Sequence, residues 1–210
     1  MLNLKLVEIQ PEGYRMLVAL LSVAESIEDF DKKLLVDAAL RVPTLERLFL
    51  VEVDLDDNAF DGLAEIRKPL ALRHLRLQKN NVSLKTLGAI CRASSDGVLN
   101  LERLDLDMNN EIRDPAIHAL APMLDSPVAG SATRLTRLDL KACNFGLEGV
   151  TCLLLALGHN KTVKHLDLSN NRFGDGFGDV LAHFLEVNSS ITYLDIDNVQ
   201  LELLVYLKHC

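Results

Sequence analysis

The chain has 210 residues, 49% apolar and 25% charged, with no tryptophan, 5% aromatic residues and a formal net charge of −8. This is the balance of a globular chain long enough for one domain or one short repeat array, and it excludes a disordered one. The negative field repels phosphate polymers and anionic lipid, and few aromatics leave no base-stacking platform, so neither nucleic acid nor a membrane is the expected partner; a basic protein surface is.

In chain order, Met1, Leu4, Leu6 and Ile9 have the spacing of a degenerate opening strand. The apolar run Met16–Ala24 is too short to cross a bilayer, and with Glu8 and Glu12 before it, it does not resemble a signal peptide. Tyr14–Ala24 and Asp31–Arg41 each have helical apolar spacing, with Ser26, Glu28 and Asp29 as candidate starts for the second helix. Residues 1–43 are thus expected to form a degenerate or enlarged unit with two helices, a single bent helix being the alternative.

From residue 44 a pattern recurs, written LxxLxLxxNxL. Leu45, Leu48, Leu50, Val53 and Leu55 fit it, as do Leu72, Leu75, Leu77, Asn80 and Val82. Leu101, Leu104, Leu106 and Asn109 follow, with Ile112 one place late, then Leu135, Leu138, Leu140, Cys143 and Phe145. The last two sets are Val163, Leu166, Leu168, Asn171 and Phe173, and Ile191, Leu194, Ile196, Val199 and Leu201. Successive copies start 27, 29, 34, 28 and 28 residues apart. Alternation in LxL demands a short strand with its leucines inward. Asn80, Asn109 and Asn171 fall in the following turn, where a buried carboxamide can serve backbone groups that would otherwise lack partners. Cys143, Val53 and Val199 replace it elsewhere, at a cost in bonding.

The second half of each copy has helical period: Leu84, Leu87, Ile90 and Cys91; Val150, Leu153, Leu154 and Leu157; Val180, Leu181, Phe184 and Leu185. Each unit therefore reads strand, turn, helix, return, and stacking is what buries its apolar face. The longest interval places six extra residues at Asp125–Ala132, "DSPVAGSA", an exposed loop by composition.

The runs "LDLSNNRFGDGFGDVLAHFLEVNSSITYLDI" and "LTRLDLKACNFGLEGVTCLLLALGHNKTVKHLDL" resemble leucine-rich repeats of the ribonuclease-inhibitor-like kind. The resemblance implies an α/β solenoid, a horseshoe with parallel strands on the concave face and helices on the convex face. It covers about six repeats over residues 44–210, the last incomplete. Similar arrays occur in the ribonuclease inhibitor, the Ran GTPase-activating protein, NOD-like receptors, tropomodulins, actin-capping-protein regulators and ciliary proteins. It therefore implies an interaction scaffold, with a regulator of a small GTPase or a structural part of a cytoskeletal or ciliary assembly as alternatives. Solenoids need capping units and neither end shows one, so a fragment of a longer protein, with further repeats or domains, is expected, or ends covered by a partner.

Outward strand positions form three columns. The first holds Arg47, His74, Arg103, Arg137, His165 and Tyr193; the second Phe49, Arg76, Asp105, Asp139, Asp167 and Asp195; the third Val51, Gln78, Asp107, Lys141, Ser169 and Asp197. Adjacent strands lie about 4.8 Å apart, so four aspartates stack, and each like-charge contact near 5 Å costs roughly 0.8 kcal/mol even in water. Arg103, Arg137 and His165 stand two residues upstream to offset this. Three readings remain open: a solvated, self-neutralised face, an acidic stripe that grips basic side chains of a partner, or, least favoured because no loop resembles a calcium motif, a divalent metal site on the stacked carboxylates. Phe49 and Val51 predict an exposed apolar patch beside His74 and Arg76, so the face runs from apolar and basic to acidic. The candidate contact residues are the first two columns without Arg47, together with Val51, Asp107 and Asp197. Asp139 and Asp167 are the natural targets for charge reversal.

No catalytic constellation emerges. Ser169 and His165 are too far apart along a strand for a triad, Cys143 occupies a structural turn, and no P-loop, GxSxG, HExxH or dinucleotide fingerprint is present. "GDGFG" at 174–178 reads as a turn into a helix. No cofactor or metal is expected. Cys91, Cys143, Cys152 and Cys210 form no CxxC pair and read as reduced thiols, the first three at least partly buried, which suits a cytoplasmic, intracellular location. The sequons at Asn81, Asn160 and Asn188 carry little weight.

Overall fold

A computed structural model describes residues 32–125 and 134–200. The predicted opening strand, the Tyr14–Ala24 helix, nearly all of the Asp125–Ala132 insert, Leu201, Cys210 and both chain ends lie outside the described residues. Within them the order is α1 (Lys32–Leu40), β1 (Arg47–Phe49), a 3₁₀ turn (Asp61–Glu65), β2 (His74–Arg76), α2 (Leu84–Ser95), β3 (Arg103–Asp105), α3 (Asp114–Leu124), β4 (Arg137–Asp139), α4 (Leu147–Gly158), β5 (His165–Asp167), α5 (Phe177–Val187) and β6 (Tyr193–Asp195).

The six strands form one parallel sheet in sequence order, each repeat pairing with the next. The register is uniform: Leu48, Leu75, Leu104, Leu138, Leu166 and Leu194 stand in one row. The first five are buried, as are Leu50, Leu77, Leu106, Leu140 and Leu168 of the inner LxL positions. Each leucine so removed from water contributes about 1.5–3 kcal/mol, which is why three-residue strands suffice. The helices pack in series on the other side of this core, and Phe145, Phe173 and Phe177 link the last repeats, with ring centroids 5.3 and 4.6 Å apart. No helix among the described residues is long and apolar enough to cross a membrane. The architecture is that of an α/β leucine-rich-repeat solenoid.

Buried turn asparagines lock the register. Asn109 Nδ2 donates to the carbonyls of Leu77, Leu106 and Asp107, while its Oδ1 accepts from the amides of Asn80 and Val82. Asn80 bridges to Leu50 and Val53, and Asn171 to Leu140 and Cys143, in the same way. Where cysteine replaces asparagine, Cys143 Sγ lies 3.2 Å from the Leu106 carbonyl and acts as a weaker donor. These turns carry left-handed residues beside the buried position, Lys79 and Asn81 around Asn80 and Ala142 and Asn144 around Cys143. That conformation costs about 1–2 kcal/mol for residues other than glycine, and the ladder offsets it.

A second ladder, at the return from helix to strand, is not evident from the leucine template. Asn160 is fully buried; its Nδ2 donates to the Leu124 carbonyl and its Oδ1 accepts the amides of Thr162 and Val163. Asn188 repeats this with Leu157, Ser190 and Ile191. Two of the three sequons are thus structural turns, and their 28-residue separation, equal to the repeat period, is the signal in the sequence that could have found them.

Three expectations change. The first repeat has a 3₁₀ turn in place of a helix. It packs so closely on α1 that a Cβ added to Gly62 would lie 1.9 Å from Asp37 Oδ1. Leu84 is 49% exposed: it directly follows the cap Ser83, on the outer side of the first turn. Leu185 is 56% exposed and Val180 and Leu181 are half-buried, since among the described residues α5 has a helical neighbour on one flank only.

Asn109→Ala deletes five hydrogen bonds inside the core and is expected to lower stability by roughly 2–4 kcal/mol. Cys143→Asn should hold stability or raise it by up to about 1 kcal/mol. Urea unfolding followed by circular dichroism measures both; a loss under about 1 kcal/mol for Asn109→Ala would remove the ladder from the account.

Candidate functional site

Strand register converts the outward residues into true columns. Arg47, His74, Arg103, Arg137, His165 and Tyr193 are successive partners, as are Phe49, Arg76, Asp105, Asp139, Asp167 and Asp195. All fourteen predicted contact residues therefore lie on one sheet face and the turn edge beside it, but their chemistry differs from a simple aspartate stripe.

The aspartates are neutralised unevenly. Arg76 Nε stands 2.7 Å from Asp105 Oδ2, a charge contact whose angle is not that of a hydrogen bond. The expected partner of Asp105 was Arg103 on its own strand; the cation comes instead from the neighbouring strand. Arg137 Nε donates to Asp139 Oδ2 at 2.7 Å, as the two-residue offset predicts. His165 Nε2 approaches Asp139 Oδ1 at 3.5 Å, across strands rather than along its own. Asp139 is consequently 4% exposed, not solvated, and its Oδ1 has no hydrogen bond. That removes it as a target for charge reversal, because a lysine there would be buried opposite Arg137.

Asp167 accepts the amide and hydroxyl of Ser169 at 2.9 and 2.7 Å, which draws Ser169 inward to 2% exposure although its column faces out. Asp195 accepts the Asp197 amide, and Tyr193 Oη reaches Asp195 Oδ2 at 3.5 Å. Tyr193 is 49% exposed and stacks on His165, ring centroids 4.1 Å apart and planes within 5°. At the other end Phe49 and Val51 are half-buried, a smaller apolar patch than the sequence implied. His74 and Arg73 approach Glu102, each at 4.0 Å, a carboxylate the column rule overlooked because it precedes the strand.

Burial raises the pKa of Asp105, and burial followed by the Asp105 charge pushes Asp107 up to about 7. Asp107 Oδ1 accepts the Lys141 amide of the next repeat. The hydrogen bond to Asp139 raises Arg137. Burial and then Arg137 lower His165; burial and then Arg103 and Arg47 lower His74, so both imidazoles are neutral at physiological pH. Burial raises the thiol of Cys91 to about 12 and that of Cys143 further, so neither is a ready nucleophile. Cys91, Cys143 and Cys152 are unpaired thiols. Among the described residues no group of three His, Cys, Asp or Glu side chains is placed to hold a metal ion. Chemically the face offers charge pairing, hydrogen bonding and one exposed aromatic stack.

A family model described as "Leucine Rich repeat" matches residues 132–154 and 159–176. The chain is 32% identical over 149 residues to the Homo sapiens protein named NACHT, LRR and PYD domains-containing protein 14, covering 66% of this chain and 13% of that one. It is 33% identical over 132 residues to NACHT, LRR and PYD domains-containing protein 12 of Homo sapiens, covering 60% and 12%. With the Mus musculus protein 14 it shares 27% over 148 residues, 68% and 14%. The matches thus span about an eighth of the length of these relatives.

Asp107 supplies a pH test. Its folded pKa lies above its unfolded value of 3.8, so its contribution to stability is fully present below that value and is lost as pH rises through about 7. Asp107→Asn keeps the acceptor for Lys141 and removes the titration. Its stability relative to wild type should grow from pH 4 to pH 8, read by urea unfolding across that range; a constant difference would refute the assignment.

Proposed function

We propose that this chain, a leucine-rich-repeat protein by its repeats and its fold, uses its strand face to dock a protein partner as a scaffold or adaptor. The observation that carries this is the unbroken in-register columns of charged and aromatic side chains across six strands, ending in the exposed Tyr193–His165 stack. Such a face is rigid, because it is fixed by the buried leucines and asparagines behind it. A preorganised surface loses little side-chain freedom on binding, and an exposed tyrosine is a frequent energetic anchor.

The acidic end of the face, Asp167, Asp195 and Asp197, suits basic side chains. Among the described residues none of these three has an arginine or lysine within ion-pair distance, unlike Asp105 and Asp139. The 28-residue spacing with α-helical returns supports the ribonuclease-inhibitor-like type. Three unpaired thiols support a reducing, cytoplasmic setting. The relatives' printed names include LRR among several domains, which supports reading this chain as one module of a larger protein.

Asp167→Lys with Asp195→Lys tests the docking face. Immobilised wild-type chain should retain a partner from cell extract in a salt-sensitive manner, and the double variant should bind it at least roughly tenfold more weakly, with an unchanged circular dichroism spectrum. Equal retention by both would place the interface elsewhere on the molecule.

A further inference from the structure

The strand face divides into halves of opposite chemistry. Over β2–β4 lies a groove of about 180 Å³ bounded by Phe49, Arg76, Arg103 and Arg137 above Asp105 and Asp139. Three guanidiniums meet two carboxylates there, so one positive charge is left over in a chain whose total is −8. The surplus has an address. Arg76 holds Asp105 and Arg137 holds Asp139, whereas among the described residues no carboxylate lies within ion-pair distance of Arg103.

The arginines are also preorganised. Arg137 is held by its Nε hydrogen bond to Asp139, and Arg76 by a close charge contact with Asp105 together with a hydrogen bond to Gln78. Arg76 Nη2 donates to Gln78 Oε1 at 2.9 Å, leaving its other terminal nitrogen and both of Arg137 to a ligand. Arginine presents these donors as a planar fork matched to an oxyanion with two oxygens. Phe49, half-buried at the groove edge, offers an apolar wall for the methylenes of an acidic side chain.

We propose that this groove is the receptor for one carboxylate side chain, a glutamate or aspartate on a protein partner, so that the face binds a segment with acid over β2–β4 and base over β5–β6. The inference rests on the strand face being the docking surface. A single carboxylate matches the single surplus charge. A phosphate dianion would overshoot it beside two aspartates already present, and a cation would meet three guanidiniums. Opposite charges at the two ends fix the direction in which the segment lies, because its reversal brings like charges together.

The experiment titrates the whole ¹⁵N-labelled chain, with arginine Nε–H signals assigned, against three probes: an end-capped peptide alternating Glu and Phe, its Lys and Phe counterpart, and inorganic phosphate. The Glu peptide should shift Arg76, Arg103 and Arg137 saturably, and the Lys peptide should shift the amides of Asp167 and Asp195. Arg103→Glu should weaken the Glu peptide at least tenfold, and Arg103→Gln less so. Both replace an exposed side chain, and thermal unfolding confirms that the fold is kept. If the Lys peptide binds at β5–β6 while the arginine signals stay still under the Glu peptide, the carboxylate receptor is refuted and the docking face stands. If neither peptide moves any strand-face signal, both readings fall. Phosphate acting at or below the concentration of the Glu peptide would overturn the choice of carboxylate.

Discussion

The buried turn asparagine is the constraint on which the other features rest. One carboxamide satisfies backbone groups of its own turn and of the preceding repeat, so each unit that carries it, at Asn80, Asn109 and Asn171, is fixed to the last at a set height and rotation. Because the peptide groups it serves are out of reach of water, leaving them unpaired costs more than the bonds are worth when made. The result is a register without slippage. Leucine stacks over leucine inside, and outside, side chains from residues nearly thirty positions apart become neighbours. The charged face is a by-product of the same repetition that builds the core.

Much of this was legible in the sequence because burial in a solenoid is written locally. A leucine at either end of LxL goes inward whatever the rest of the chain does, and the register follows from stacking identical units. The turn asparagines could be read for the same reason. What escaped was whatever depends on how side chains of the face pair with and cover one another. The burial of Asp139 results from Arg137 beside it and His165 on the next strand closing over it. The pairing of Asp105 with Arg76 in place of Arg103 is a cross-strand choice between two cations of similar reach. Ser169 lies on an outward position yet is buried, because its hydroxyl bonds Asp167. Column membership was predictable; exposure and partnership within a column were not.

The first repeat shows the same boundary. Its strand was evident from the leucines, but its return segment forms only a 3₁₀ turn, wedged against α1 at Gly62. Helical period elsewhere created an expectation that local chemistry there, Asp56, Asp57 and Asn58 followed by Gly62, did not support. The return-turn asparagines were missed for a different reason. They lie outside the leucine template, and their tripeptides matched a modification motif.

An array whose units touch only their neighbours is as strong as each junction, and the junctions here are unequal. Between β3 and β4 the ladder passes through a thiol, Cys143, instead of a carboxamide. Among the connections that reinforce that junction are two carboxylates: Asp114 Oδ1 accepts the amides of Gly146 and Gly149, and Asp107 accepts that of Lys141. One of the two titrates near neutrality. The junction also bisects the outer surface and runs through the cationic groove, with Arg76 and Arg103 on one side and Arg137, Asp167 and Asp195 on the other. Fraying there would split the groove and part Arg76 and Arg103 from the anionic end, so the protonation of Asp107 bears on one seam and on the alignment of the two poles together.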